Sequence, residues 1–119
     1  MYPPPEDIVI QQLENHDVEC ISYGQYIIQI FLDNGNRLSL MAPFRFGLEA
    51  SIAHADVNDF PLTESKLIRV LGCHVIDAMC EDDGTLHVRF SNGDALVVYA
   101  NDPMYEAYTL SIEGQEYII

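Results

Sequence analysis

Apolar and polar residues alternate along the first third of the chain, with the period of a strand that has one buried face. The apolar residues at alternate positions of their runs are Val18, Cys20, Tyr26, Ile28, Ile30, Leu38 and Leu40. Turn-forming residues separate these runs at 22–24 and 33–35, and glycine stands third in both turns. The pattern predicts a three-stranded antiparallel meander over residues 16–42.

The second turn also sets the register of the strands that it joins. A three-residue loop at 33–35 takes glycine in its left-handed position and pairs Ile30 with Leu38. A two-residue loop would place Ile30 opposite Ser39 instead. The three-residue loop gives the more uniform apolar face, so we prefer it.

A similar unit occurs again downstream. Residues 32–40 read LDNGNRLSL and residues 90–98 read FSNGDALVV, with the Asn-Gly step at the same place. This repeat predicts a second meander that begins at residue 73 and ends near residue 100. Each meander has an apolar face that must be buried, so we expect the two to pack together.

The register of the second meander follows from a loop at 82–84. That loop pairs Ile76 with Phe90 on the apolar face. On the opposite face it sets Asp77 across from Arg89, which predicts an ion pair.

Between the meanders the pattern changes. The segment PFRFG at 43–47 is predicted to be a loop because proline and glycine flank its aromatic residues. Residues 62–72 are predicted to form a helix, with Thr63 as its N-cap and Gly72 just beyond its end.

These elements predict a mainly β domain (a β-rich α+β fold). Two similar three-stranded antiparallel meanders form a sandwich or a curved half-barrel, and one short helix lies between them. Residues 1–119 are expected to be a single domain. Within it, residues 1–6 form a mobile tail, and residues 73–119 contain the second meander and a C-terminal hairpin.

Composition limits the class of protein. Apolar residues make up 49 % of the chain, which is enough for a core, and nineteen acids against five bases give a net charge of −14. Such a charge repels nucleic acid and anionic membranes and attracts basic protein surfaces. The N-terminal sequence MYPPPEDIVI lacks a signal peptide's pattern, and the odd number of cysteines fits a reducing compartment, so we expect a cytoplasmic protein.

The sequence carries none of the motifs that mark a metal centre, an activated nucleophile or a phosphate-binding loop. Cys73 and His74 are neighbours that a strand points to opposite faces. We therefore expect no catalytic residue, no metal and no cofactor.

Acidic and aromatic residues in loops are the remaining candidates. Exposed aromatic residues anchor many protein interfaces, and carboxylates complement basic partners. The candidate partner-binding residues are Asp82, Asp83, Tyr105, Glu106, Phe44 and Phe46. The alternative for the aromatic residues is that they cap the ends of the core.

Several stretches resemble a family of small uncharacterised bacterial proteins, some of which are suspected immunity proteins of polymorphic-toxin loci. They are PFRFG followed by Ser51, then SKLIRVLGCHV, DGTLHVRFSNGDALVV and DPMYEAYTL, within residues 38–110. The resemblance implies a small β-rich domain with no known enzymatic role, and it favours a partner that is a toxin. Tyr108 stands where this family more often has tryptophan.

Together these features predict a non-enzymatic immunity protein that binds a basic toxin domain, such as a nuclease, directly. One alternative is an inhibitor from a phage or mobile element that imitates nucleic acid. Another is a small ligand-binding β protein with a pocket between the meanders. The oligomeric state and the face that binds the partner stay open.

Overall fold

The computed structural model describes residues 6–100 and 106–119, which form ten strands and four short helical segments. The strands are β1 Val18–Tyr23, β2 Ile28–Leu32, β3 Arg37–Leu40, β4 Phe44–Leu48, β5 Val57–Asn58, β6 Val75–Cys80, β7 Leu86–Phe90, β8 Asp94–Val98, β9 Tyr108–Ile112 and β10 Gln115–Ile118. An α-helical turn, α1, spans Asp7–Ile10, and 3₁₀ helices span Gln11–Leu13, Glu49–His54 and Leu67–Val70. Residues 1–5 of the predicted mobile tail lie outside the described residues.

The strands form two antiparallel five-stranded sheets that pack face to face. Their orders are β1-β2-β3-β9-β10 in the first sheet and β5-β4-β8-β7-β6 in the second. The two predicted meanders are therefore confirmed as β1-β2-β3 and β6-β7-β8. The fold is the sandwich that the sequence predicts.

Each meander is extended by the hairpin that follows the other meander. The β9-β10 hairpin joins the first sheet through β3, where Leu38 stands opposite Leu110. The β4-β5 hairpin joins the second sheet through β8, where Leu96 stands opposite Phe46. Leu38 and Leu96 both lie three residues after the glycine of their turn. The two halves of the chain thus exchange hairpins in the same way.

The registers predicted from the turns at 33–35 and 82–84 are confirmed except at the start of β6. Ile30 stands opposite Leu38 in the first sheet, and Asp77 stands opposite Arg89 in the second. The pairing of Ile76 with Phe90 is wrong, because a β-bulge in β6 places Val75 opposite Phe90. Ile76 is consequently turned outward and is 44 % exposed.

The predicted loop at 43–47 is wrong, because this segment is strand β4. Phe44 and Phe46 point into the core, and Arg45 between them points out, which is the alternation of a strand. Pro43 and Gly47 suggested a loop, but Pro43 only precedes the strand and Gly47 pairs with Ala95. Strand β8 would otherwise have no neighbour on that side.

The predicted helix at 62–72 is reduced to the 3₁₀ helix Leu67–Val70. Ser65 Oγ accepts a hydrogen bond from the Leu67 backbone at 3.2 Å as the helix starts. Leu67 and Val70 are both fully buried, and a spacing of three residues brings side chains into line on a 3₁₀ helix. Gly72 follows with φ of +81°, which ends the helix as predicted.

Candidate protein-binding surface

The turn between β6 and β7 places two of the predicted partner-binding carboxylates in solvent. Asp82 and Asp83 are both exposed. The turn is closed by the Gly84 amide, which donates to the Glu81 carbonyl oxygen at 2.9 Å. Asp83 Oδ1 accepts a hydrogen bond from the Thr85 backbone at 2.9 Å, and this bond lowers the pKa of the Asp83 carboxyl. Asp83 is therefore held in its charged form.

Tyr108 ties this turn to the start of β9. Its ring is fully buried, and its hydroxyl donates to the Gly84 carbonyl oxygen at 2.8 Å. The Cys80 thiol lies 3.3 Å from the same hydroxyl. Burial raises the pKa of the Tyr108 hydroxyl, and burial also raises that of the Cys80 thiol. Both groups are thus neutral structural contacts.

Glu106, two residues before Tyr108, lies at the same end of the sandwich as this turn. Glu106 is exposed, and the next residue, Ala107, donates its amide hydrogen to the Ile119 carbonyl oxygen. A Cβ atom at Gly84 would stand 3.1 Å from the Ile119 side chain, so the turn and the Glu106 segment flank the same residue. We name this surface the acidic end; its residues are Glu81, Asp82, Asp83 and Glu106. The predicted contact Tyr105 lies outside the described residues.

Phe44 and Phe46 do not belong to this surface. Their side chains are 1 % and 8 % exposed. The Phe44 ring packs against the Phe60 ring with 6.2 Å between centroids, and the Arg69 guanidinium lies over the Phe46 ring at 5.3 Å. Because both side chains point inward from β4, they offer a partner almost no area, and they belong to the hydrophobic core.

Most basic side chains are already engaged by groups of the protein itself. The contacts are Arg37 with Glu116, Arg69 with Asp94, Arg89 with Asp77 and Glu49, and Arg45 with the carbonyl oxygens of Ala53 and Ala55. Arg89 lowers the pKa of the Asp77 carboxyl through its hydrogen bonds. Because these arginine side chains are engaged by groups within the protein, the remaining carboxylates dominate the surface charge.

The interior has little room for a ligand between the two sheets, where the ligand-binding alternative requires a pocket. A void between the facing sheets, lined in part by Ile30, Val88 and Phe90, measures about 10 Å³. On this measure a cavity needs at least about 10–15 Å³ to hold a single water molecule, so no ligand fits there. Larger clefts of about 640 and 480 Å³ lie beside Asp77 and beside Lys66.

Within residues 6–100 and 106–119, no three His, Cys, Asp or Glu side chains are grouped as metal ligands would be. No helix there has the length and apolar character needed to cross a membrane.

Two side-chain contacts between distant parts of the chain were not predicted from the sequence. The alternation of Tyr108 with Leu110 and Ile112 marks an inward strand position, but no local pattern signals that its hydroxyl reaches the distant Gly84 carbonyl oxygen. The ion pair of the buried Asp94 with the exposed Arg69 joins residues that are 25 positions apart, and no local pattern signals such a pair.

Residues 9–119 match the model of a family described as being of unknown function (DUF6188). No curated protein and no solved structure gives a significant match. The match confirms the resemblance to an uncharacterised family.

Proposed function

The chain belongs to this family of unknown function, and on that premise we propose that it is a non-enzymatic acidic module that binds a basic protein. The observation that carries the proposal is the acidic end. Residues from two distant parts of the chain, Asp82 and Asp83 on one side and Glu106 on the other, are exposed at one end of the sandwich. Field lines from grouped carboxylates steer a basic partner and fix its orientation.

The rest of the molecule supports the same role. Arg37, Arg69 and Arg89 are paired with carboxylates of the protein, so little positive charge is left to repel a basic partner. The net charge of −14 exceeds the roughly 2–8 charges that keep a small domain soluble. Excess charge of one sign is expected where a partner of the opposite sign is bound.

We further propose that the partner is a toxin domain with a basic substrate-binding cleft, such as a nuclease. On this account the protein is an immunity protein that acts in the cytoplasm of a bacterium. Nuclease clefts are basic because they bind phosphates. A rigid acidic end can occupy such a cleft and exclude the nucleic acid without any chemistry.

Imitation of nucleic acid has less support. It requires carboxylates in rows along one face, as phosphates lie along a duplex. The outer face of the middle strands of the first sheet instead carries neutral polar residues at Gln29, Thr109 and Ser111, which are partly exposed.

Capture of a partner from the source organism tests the proposal. The protein is immobilised and exposed to lysate at about 50 mM salt, where surface electrostatics are weakly screened. We expect a basic protein to be retained, and we expect a variant with Asp82→Asn, Asp83→Asn and Glu106→Gln to retain much less of it. Asparagine at position 83 still accepts the Thr85 hydrogen bond, so the turn is kept.

The matched control removes the same amount of charge elsewhere. Asp17→Asn, Glu19→Gln and Asp56→Asn neutralise three exposed carboxylates away from the acidic end. This variant should retain the partner nearly as well as the natural protein. Equal losses in the two variants would mean that net charge alone matters, and retention of no basic protein would overturn the proposed function.

A further inference from the structure

The two sheets have four edge strands, and one of them differs from the other three in how its outward backbone groups are protected. The edges are β1 and β10 in the first sheet and β5 and β6 in the second. An unprotected edge presents free N–H and C=O groups that can pair with another chain, so proteins usually cover, shorten or distort such strands.

Strand β6 is covered by the segment that precedes β1. The Asn15 amide donates to the Val75 carbonyl oxygen at 2.8 Å, and the Val75 amide donates to the His16 carbonyl oxygen at 3.1 Å. Further along the same edge, the Ala78 amide donates to Glu14 Oε1 at 3.5 Å. These contacts occupy the outward backbone groups of Val75 and the outward N–H of Ala78.

Strands β1 and β5 are protected by other means. Val18 of β1 exchanges backbone hydrogen bonds with the 72–73 segment, at 2.8 and 2.9 Å. A β-bulge follows between Val18 and Cys20, and the distortion makes β1 a poor edge for pairing with another strand. Strand β5 is only two residues long.

Strand β10 has none of these protections among the described residues. It is four residues long and pairs with β9 in an unbroken register from Gln115 to Ile118. Ile119 and Tyr108 exchange both backbone hydrogen bonds, at 2.9 and 3.4 Å. Because inward and outward groups alternate along an antiparallel strand, the N–H and C=O groups of Glu116 and Ile118 must point away from β9.

We propose that β10 is a docking edge for an extended segment of a partner protein that carries lysine or arginine. The segment would add a sixth strand to the first sheet through the backbone groups of Glu116 and Ile118. Strand addition of this kind draws affinity from main-chain hydrogen bonds and specificity from side chains at alternate positions. This inference rests on the proposed function, because it takes the partner to be basic.

The negative charge beside β10 favours a basic segment of a partner over a second copy of the chain. Glu113 and Glu116 are exposed beside the edge, and Arg37 pairs with Glu116 at 3.3 Å. A second copy would bring its own β10 glutamates and another net charge of −14 to the interface. Like charges placed opposite each other in a sheet are destabilising, whereas a basic segment meets opposite charge.

Amide hydrogen exchange on the isotope-labelled protein provides the test. The probe is a synthetic peptide of about nine residues that alternates lysine and valine, a pattern suited to a strand. We expect the peptide to slow exchange of the Glu116 and Ile118 amides. A glutamate–valine peptide of the same length should leave both amides unchanged.

A proline variant separates backbone docking from side-chain contacts. Ile118→Pro removes an outward N–H that the fold does not use, whereas Ile118→Thr changes the side chain and keeps the N–H. We expect Ile118→Pro to weaken peptide binding by about tenfold, the equivalent of one or two hydrogen bonds, and Ile118→Thr to bind nearly as the natural protein does. The exchange measurement on the natural protein stands even if the proline variant does not fold.

Three results would overturn the inference, and each is distinct from failure of the proposed function. The lysine–valine peptide could slow exchange only at the acidic end, which would leave the function intact and remove the docking edge. The glutamate–valine peptide could bind equally well, which would remove the charge argument. Finally, sedimentation could show a dimer that Ile118→Pro converts to monomer, which would make a second copy the occupant.

Discussion

The Tyr108 hydroxyl joins the two parts of the acidic end. It donates to the Gly84 carbonyl oxygen at 2.8 Å from a fully buried ring. Tyr108→Phe removes the donor and leaves that carbonyl without its partner, so we expect the free energy of unfolding to fall by about 1–2 kcal/mol. Urea denaturation measures this change.

Tyr117→Phe is the matched control for Tyr108→Phe. The Tyr117 ring is half-buried, and its hydroxyl has no hydrogen bond within the described residues. The control should leave the unfolding midpoint nearly unchanged. Equal midpoints for the two variants would show that the Tyr108–Gly84 hydrogen bond does not stabilise the turn.

The pairing of Asp77 with Arg89 predicts a dependence of stability on pH. Arg89 lowers the pKa of the Asp77 carboxyl in the folded protein below its ordinary value of 3.8. The stabilisation is therefore complete above the ordinary pKa and is lost as the pH falls through the folded-state value. Because the pair is partly exposed, we expect Asp77→Asn to cost only about 1 kcal/mol at neutral pH.

Urea unfolding at pH about 7 and at pH about 2 checks the sign of this effect. The difference between Asp77→Asn and the natural protein should shrink as the pH falls through the lowered folded-state pKa of Asp77, because the protonated carboxyl no longer forms the ion pair. Asp17→Asn, which removes an exposed carboxylate without a basic partner among the described residues, controls for the loss of charge alone. A cost of Asp77→Asn that stays constant with pH would contradict the assignment.

At the scale of elements, the two Asn-Gly turns are equivalent corners of the two meanders. Gly35 and Gly93 have φ of +86° and +92°, and a Cβ atom at either would meet nothing within 4 Å. Alanine at each position would therefore be strained by its backbone alone, so we expect equal losses of about 1–2 kcal/mol. Thermal or urea unfolding of the two single variants measures both costs.

Gly47→Ala supplies the comparison for these turn variants. Gly47 lies in strand β4, and a Cβ atom there would make an ordinary contact with Ala55 at 3.8 Å. Its replacement should be neutral or slightly stabilising, because alanine loses less backbone entropy than glycine on folding. Clearly unequal costs at Gly35 and Gly93 would show that the corners are not equivalent.

Local pattern explains which elements could be predicted. The turns at 33–35 and 82–84 set registers that involve neighbouring strands only, and the apolar alternation was enough to choose between loop lengths. Strand β4 escaped prediction because its partner β8 lies some fifty residues away. The 3₁₀ helix Leu67–Val70 was predicted as a longer helix because an apolar spacing of three residues fits both geometries.

At the scale of the whole molecule, the exchange of hairpins determines which surfaces exist. Because β9 crosses to the first sheet, Tyr108 meets Gly84 from the second, and the acidic end is assembled across both sheets. The same crossing leaves β10 as an outer edge. Of the candidate site, the sequence could predict the exposed acids Asp82, Asp83 and Glu106, because acids in turns are normally solvated.

Binding of the captured partner at two ionic strengths tests the central claim most directly. The dissociation constant is measured at about 50 and about 300 mM salt for the natural protein, for the variant neutralised at Asp82, Asp83 and Glu106, and for the control neutralised at Asp17, Glu19 and Asp56. We expect affinity to fall with salt in the natural protein and the control, and to be weak and nearly independent of salt in the variant neutralised at the acidic end. The account would be contradicted by an affinity of the natural protein that does not change with salt, or by the same affinities and salt dependence in the two neutralised variants.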